Sequence, residues 1–60
     1  MRKLDDNHFP IVSTYPLAFK LTDGRTLIGK YDFNKNMQRR WIDASGNEYT
    51  SESVEEWEAL

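Results

Sequence analysis

No cysteine occurs in this 60-residue chain, which removes disulfides, thiolate zinc sites and cysteine nucleophiles. Histidine is almost as scarce. His8 stands alone beside Asp5 and Asp6, and one imidazole with two carboxylates in a short N-terminal stretch is a poor metal site. Long apolar runs are missing too. The opening residues, MRKLDDNHFPIV, start basic but have no apolar segment behind them. Neither a signal peptide nor a membrane span is expected, and the expected location is the cytoplasm. Repeats of solenoid length and low-complexity tracts are likewise absent.

Catalytic patterns fare no better. Ser13, Ser45, Ser51 and Ser53 have no base except His8, which lies in the N-terminal stretch. The carboxylates Glu52, Glu55, Glu56 and Glu58 read as a solvated run. Gly24, Gly29 and Gly46 do not have a phosphate-binding spacing. The expectation is a non-enzymatic protein that needs no cofactor and no metal.

Aromatic side chains are well supplied: Phe9, Tyr15, Phe19, Tyr31, Phe33, Trp41, Tyr49 and Trp57. A chain this short makes one domain at most, and without staples it depends on packing. The charges are uneven. Residues 20–40 carry Lys20, Arg25, Lys30, Lys35, Arg39 and Arg40 against Asp23 and Asp32, while residues 41–60 carry six acids and no base. A basic middle facing an acidic end marks either a binding surface or two solvated faces that attract within the fold.

The stretch LTDGRTLIGKYD, Leu21 to Asp32, reads as a hairpin because Asp-Gly lies between apolar runs. Face matching sets the loop length. Leu17, Phe19 and Leu21 alternate with Ala18, Lys20 and Thr22, and Leu27, Gly29, Tyr31 and Phe33 alternate with Ile28, Lys30 and Asp32, so the odd positions belong on one face. A two-residue loop would put Leu27 opposite Lys20, on the wrong face. A three-residue loop, Thr22-Asp23-Gly24, pairs Phe19 with Leu27 and Leu17 with Gly29, and places Gly24 where a positive φ is needed. In RRWIDASGNEYT, a loop Ala44-Ser45-Gly46 pairs Trp41 with Tyr49 and Ile42 with Glu48. Between the two, NKNM (34–37) reads as a polar turn.

Four strands follow, near 17–22, 25–33, 38–43 and 47–50. Residues 1–16 are expected as an extended arm and 17–60 as the β domain. The tail SESVEEWEAL has two readings. Ser53 with Glu56 fits a helical capping box, whereas one helical turn at 51–54 followed by a closing strand through Trp57 fits a small barrel. The fold expected is therefore mainly β, either an SH3-like small barrel or a bent antiparallel meander of four to five strands with a short C-terminal helical turn or helix. The inward residues are Leu17, Phe19, Leu21, Leu27, Tyr31, Trp41, Tyr49, Val54 and Trp57. Ala18, Lys20, Ile28 and Lys30 are left for solvent or a partner.

The DG hairpin, the YDF after it, WID, the second glycine turn and the closing VEEW before a final leucine together resemble small SH3-like domains of unknown function in bacterial and phage proteins. In those domains a V-x-x-W-x-x-L pattern ends the chain with a tryptophan packed on the sheet, which here matches Val54, Trp57 and Leu60. The likeness covers residues 17–60 and implies a fold rather than an activity. Related barrels also occur as bacterial lipoproteins, but this chain lacks their lipid-bearing cysteine, and no signal segment is expected at its start.

Two functions remain. The first is a protein-interaction module, self-association included. Ile28 and Ile42 would form an outward apolar patch rimmed by Lys20, Lys30 and Arg40, fit for a protein partner or a second copy. The second is a small barrel binding single-stranded nucleic acid through Lys30, Lys35, Arg39 and Arg40 with Tyr31, Phe33 and Trp41 interleaved. Against it stand the inward assignment of Tyr31 and Trp41 and the net charge of −2. No membrane partner is expected.

Overall fold

Both glycine turns close the hairpins expected of them. In the computed structural model, which describes residues 1–60, the elements are β1 (Arg2–Lys3), β2 (Thr14–Leu21), β3 (Thr26–Phe33), β4 (Arg39–Asp43), β5 (Glu48–Tyr49), a 3-10 turn (Ser51–Ser53) and β6 (Val54–Ala59). They form one open antiparallel sheet of six strands in the order β1-β6-β2-β3-β4-β5. The protein is mainly β, with six strands where four to five were expected.

The β2–β3 register pairs Phe19 with Leu27 and Leu17 with Gly29. The β4–β5 register pairs Trp41 with Tyr49 and Ile42 with Glu48. Gly24 has φ +96° and Gly46 has φ +88°, values that L side chains rarely adopt. The polar turn between these hairpins proves to be the same device. Gly24 N–H donates to Leu21 O at 2.9 Å, Met37 N–H to Asn34 O at 3.1 Å and Gly46 N–H to Asp43 O at 3.1 Å. Each loop therefore has three residues, with the last in left-handed backbone, and in the middle loop that residue is Met37, φ +63°.

The tail resolves in favour of the closing strand. After the 3-10 turn, β6 lies beside β2, pairing Phe19 with Trp57, Lys20 with Glu56 and Leu21 with Val54. The helical capping pattern at Ser53 and Glu56 lost because β2 had one edge left unpaired, and a strand satisfies that row of backbone groups where a helix would not. The N-terminal segment joins the same sheet. Arg2 pairs with Trp57 and Lys3 with Glu56, and Leu4 N–H donates to Glu55 O at 2.9 Å.

The core is one cluster, Leu17, Phe19, Leu21, Tyr31, Trp41 and Val54, with Leu4, Phe9, Val12, Leu27, Tyr49 and Trp57 packed around it. Every residue expected inward is in this set; Leu4, Phe9 and Val12 are additions from the N-terminal segment. The rings interlock at tilted angles, with Tyr31 and Trp41 centroids 4.7 Å apart and Phe19 and Trp41 5.4 Å apart, the geometry favoured by ring quadrupoles. Trp41 satisfies its Nε1–H on Ser51 Oγ at 3.0 Å. Trp57 donates to the His8 carbonyl at 3.0 Å, and the His8 ring stacks on the indole at 4.6 Å. The buried Tyr31 hydroxyl has no partner in the protein, so ring packing holds this residue inside. Gly29 is the point of closest strand approach. A Cβ there would lie 1.7 Å from the Ile42 carbonyl oxygen, so only glycine lets β4 come in so tightly. No helix is long and apolar enough to cross a membrane.

Candidate interaction surface

The face of the sheet turned away from the core follows from the register, because paired residues point the same way. Ala18 pairs with Ile28 and with Glu58, Lys30 with Ile42, Asp32 with Arg40, and Ile42 with Glu48. Ala18 departs from expectation. It is on the outer face but only 5% exposed, since its methyl group is too short to clear Ile28 and Glu58 on either side.

Charges on this face are laid out as a chain of pairs. Arg40 Nε donates to Asp32 Oδ1 at 2.7 Å, and Arg40 Nη1 lies 3.1 Å from Glu48 Oε1. Lys30 Nζ is 3.3 Å from the other Asp32 oxygen. The Arg40 hydrogen bond, helped by Lys30, holds the Asp32 carboxyl below the usual aspartate range, and Asp32 in turn raises the Arg40 guanidinium. Lys20 stands apart, 3.5 Å from Glu56. The basic middle and acidic end of the sequence thus meet across strands, as Lys20 with Glu56 and Arg40 with Glu48.

Ile28 and Ile42 come together. With Tyr15, Gly29, Lys30 and Asp43 they line a depression of about 580 Å³ on the outer side of β3 and β4. Of the expected patch, Lys30 belongs to this depression, whereas Lys20 and Arg40 lie elsewhere on the same face. Ile28 is 55% exposed and Ile42 is half-buried.

Tyr15 went unforeseen and is 72% exposed. Its placement comes from a bulge: Thr14 pairs with Tyr31 and Leu17 with Gly29, so β2 carries one residue more than β3 over that interval. Bulges re-aim side chains in this way. Ser13, φ +73°, anchors the start of the bulge through its N–H to Tyr31 O at 2.6 Å. The available sequence signal was Pro16, which lacks an N–H and belongs at bulges or edges. Asp43 borders the depression but is occupied, accepting from Ser45 N, Asn47 N, Asn47 Nδ2 and Tyr49 Oη. Burial pushes its carboxyl up, yet these donors together outweigh burial and leave it low. Tyr49 is raised, by burial first and by the Asp43 hydrogen bond second.

The residues of the nucleic-acid reading are dispersed. Tyr31 and Trp41 are fully buried and present no ring to a base. Lys30 and Arg40 are paired with Asp32. Lys35 sits in the Asn34–Gln38 turn, and the Arg39 guanidinium lies 5.5 Å over the Phe9 ring. Arg39 and Arg40 share a polar groove of about 350 Å³, but Glu48 and Glu52 share it too, and carboxylates at that spot repel phosphate. No group of three or more possible metal ligands is brought together. Comparison with known proteins found no matching family model, no matching curated protein and no matching solved structure.

Proposed function

We propose that this protein is a non-enzymatic protein-interaction module that works through the outer face of β3 and β4. The observation carrying this reading is the convergence of Tyr15, Ile28 and Ile42 on one open depression. Exposed apolar side chains scattered singly need no explanation, but a group of them around a concavity, rimmed by polar residues, is the pattern of a contact site. The charge pairs around it favour the same reading, since the cations nearest the depression are already neutralised within the chain. Buried aromatics and the carboxylates at the Arg39–Arg40 groove weigh against single-stranded nucleic acid.

The test pairs two binding measurements. Immobilised wild type is compared with the Ile28→Lys/Ile42→Lys variant for retained proteins, after circular dichroism shows that the variant still folds. Oligonucleotide binding is followed by fluorescence anisotropy over a salt series. The expected result is a set of proteins lost in the variant, with no oligonucleotide binding at physiological salt. Micromolar, salt-dependent oligonucleotide binding that disappears in a folded Arg39→Ala/Arg40→Ala variant would replace this reading with the nucleic-acid one.

A further inference from the structure

We infer that residues 1–12 form an exchangeable strap, and that two copies of this chain join by trading it, the strap of each seated on the body of the other. The seat and its occupant are both visible, because the chain fills the seat itself. Arg2 and Lys3 run along the outer edge of β6, opposite Trp57 and Glu56. Leu4, Phe9 and Val12 pack against the core. Trp57 Nε1 donates to the His8 carbonyl at 3.0 Å, and the His8 ring stacks on the indole. Within the strap the backbone makes one bond of its own, His8 N–H to Asp5 O at 3.0 Å. Nearly everything that holds the strap is therefore contact with the body, and a second body offers the same contacts.

The hinge is what differs between the two arrangements. The strap enters β2 through a tight turn in which Thr14 N–H donates to Ile11 O at 2.9 Å. Ser13, inside that turn, has φ +73°, a left-handed backbone that a serine adopts at a cost. Its side chain is exposed, and the neighbouring Ile11 is 84% exposed, so little packing holds the turn closed. Straightening it carries the strap away from its own body and returns Ser13 to ordinary extended backbone. Short strained hinges favour exchange between copies. No sheet edge is lengthened by the trade. Each body keeps six strands, one of them borrowed.

Because the seat is the same, tethering decides the balance. A short tether holds the strap near its own body at an effective concentration on the order of millimolar. The closed monomer therefore prevails in dilute solution, and exchange sets in as the protein concentration approaches that value. Each exchanged pair relaxes two hinges, which lowers the threshold.

Sedimentation equilibrium of the full chain, from dilute solution up to about 1 mM, tests the inference. Dimer should accumulate toward the top of that range. Ser13→Gly, which eases the closed turn, should weaken the dimer about tenfold or more, and Ser13→Val, whose β-branched side chain resists positive φ, should strengthen it by about as much. Ile28→Lys/Ile42→Lys, on the outer face of the sheet, should leave it unchanged. The trade itself is read by mixing Lys3→Cys with Glu56→Cys, at positions that face each other across β1 and β6. The chain has no cysteine of its own, so oxidation of the concentrated mixture should link one chain of each kind, which mass spectrometry identifies. That mixture keeps the native hinge and decides the matter if Ser13→Val does not fold. A chain that is monomeric at every concentration, in Ser13→Val as in wild type, overturns the inference. So does a dimer in which unlike chains link no more than like ones, or a dimer lost in a folded Ile28→Lys/Ile42→Lys variant, which would place the contact on the outer face instead.

Discussion

The turns at the two ends of β4 have the same backbone built from different residues. At the β3–β4 turn, Asn34 Oδ1 accepts from Asn36 N at 2.8 Å and Gln38 N at 3.0 Å. At the β4–β5 turn, Asp43 Oδ1 accepts from Ser45 N and Asn47 N, each at 2.9 Å. The first residue of each turn also donates its N–H to the carbonyl four residues on, Asn34 to Gln38 and Asp43 to Asn47. The left-handed position is Met37 in one and Gly46 in the other. An Asn or Asp side chain that satisfies two loop amides, together with the register of the flanking strands, is therefore enough to impose the loop. Glycine lowers the cost of a geometry that is specified elsewhere.

The largest expected effect removes what the two turns share. Trp41 is fully buried at the centre of β4, and Trp41→Ala should cost about 3–5 kcal/mol, enough to unfold a domain of this size. Equilibrium urea unfolding reads the loss. A wild-type midpoint would mean that the turns hold without their common anchor.

Exchanging the left-handed residues should then move stability in opposite directions. Left-handed backbone costs an L residue about 1–2 kcal/mol, partly offset by the about 0.5–1 kcal/mol of extra chain entropy that glycine loses. Met37→Gly should stabilise by about 1 kcal/mol and Gly46→Met should destabilise by a similar or larger amount. The same urea titration measures both, and changes of equal sign would show that the two loops are not equivalent.

Acid should separate the turns more subtly. Asp43 is held low by its loop donors, which outweigh burial, and Asp23 is held low first by the Arg25 backbone N–H. A carboxyl depressed in the folded state stabilises above its unfolded value, and that stability is lost as the pH falls through the folded value. Both glycine-closed turns should loosen below the ordinary aspartate value of 3.8, whereas the Asn34 turn has no such group. Amide exchange of Arg25, Ser45 and Asn47 should rise there relative to Asn36 and Gln38. Asn34→Asp should bring the third turn into line with the other two.

The turns also show what was legible beforehand. Asp23-Gly24 and Ser45-Gly46 announced themselves, and matching odd positions across each loop was enough to set both registers and most of the core. Met37 was not legible as a left-handed residue, since methionine has no preference for that conformation; the clue lay in Asn34 and the four-residue spacing to Gln38. Leu4, Phe9 and Val12 were missed because the first 13 residues hold one two-residue strand and turns, so no alternation reveals which side chains face in. The tail was ambiguous because Ser53 and Glu56 satisfy a helical pattern locally, and only the bare edge of β2 decides for a strand. Of the candidate site, Ile28, Ile42 and Lys30 were placed together by strand alternation. Tyr15 was missed because the bulge that aims it breaks that alternation.

The pairing of β2 with β6 has a kinetic consequence. Each of the three turns closes within a few residues, so β3, β4 and β5 can assemble from local contacts. Leu17 meets Ala59 only after nearly the whole meander is in place, and contacts between residues so distant along the chain are the slow ones to form. Until β6 docks, β2 presents a bare row of amides and carbonyls beside Leu17 and Phe19. That interval, rather than the finished fold with its two-residue edge strands, is when the chain is most open to joining its neighbours strand to strand.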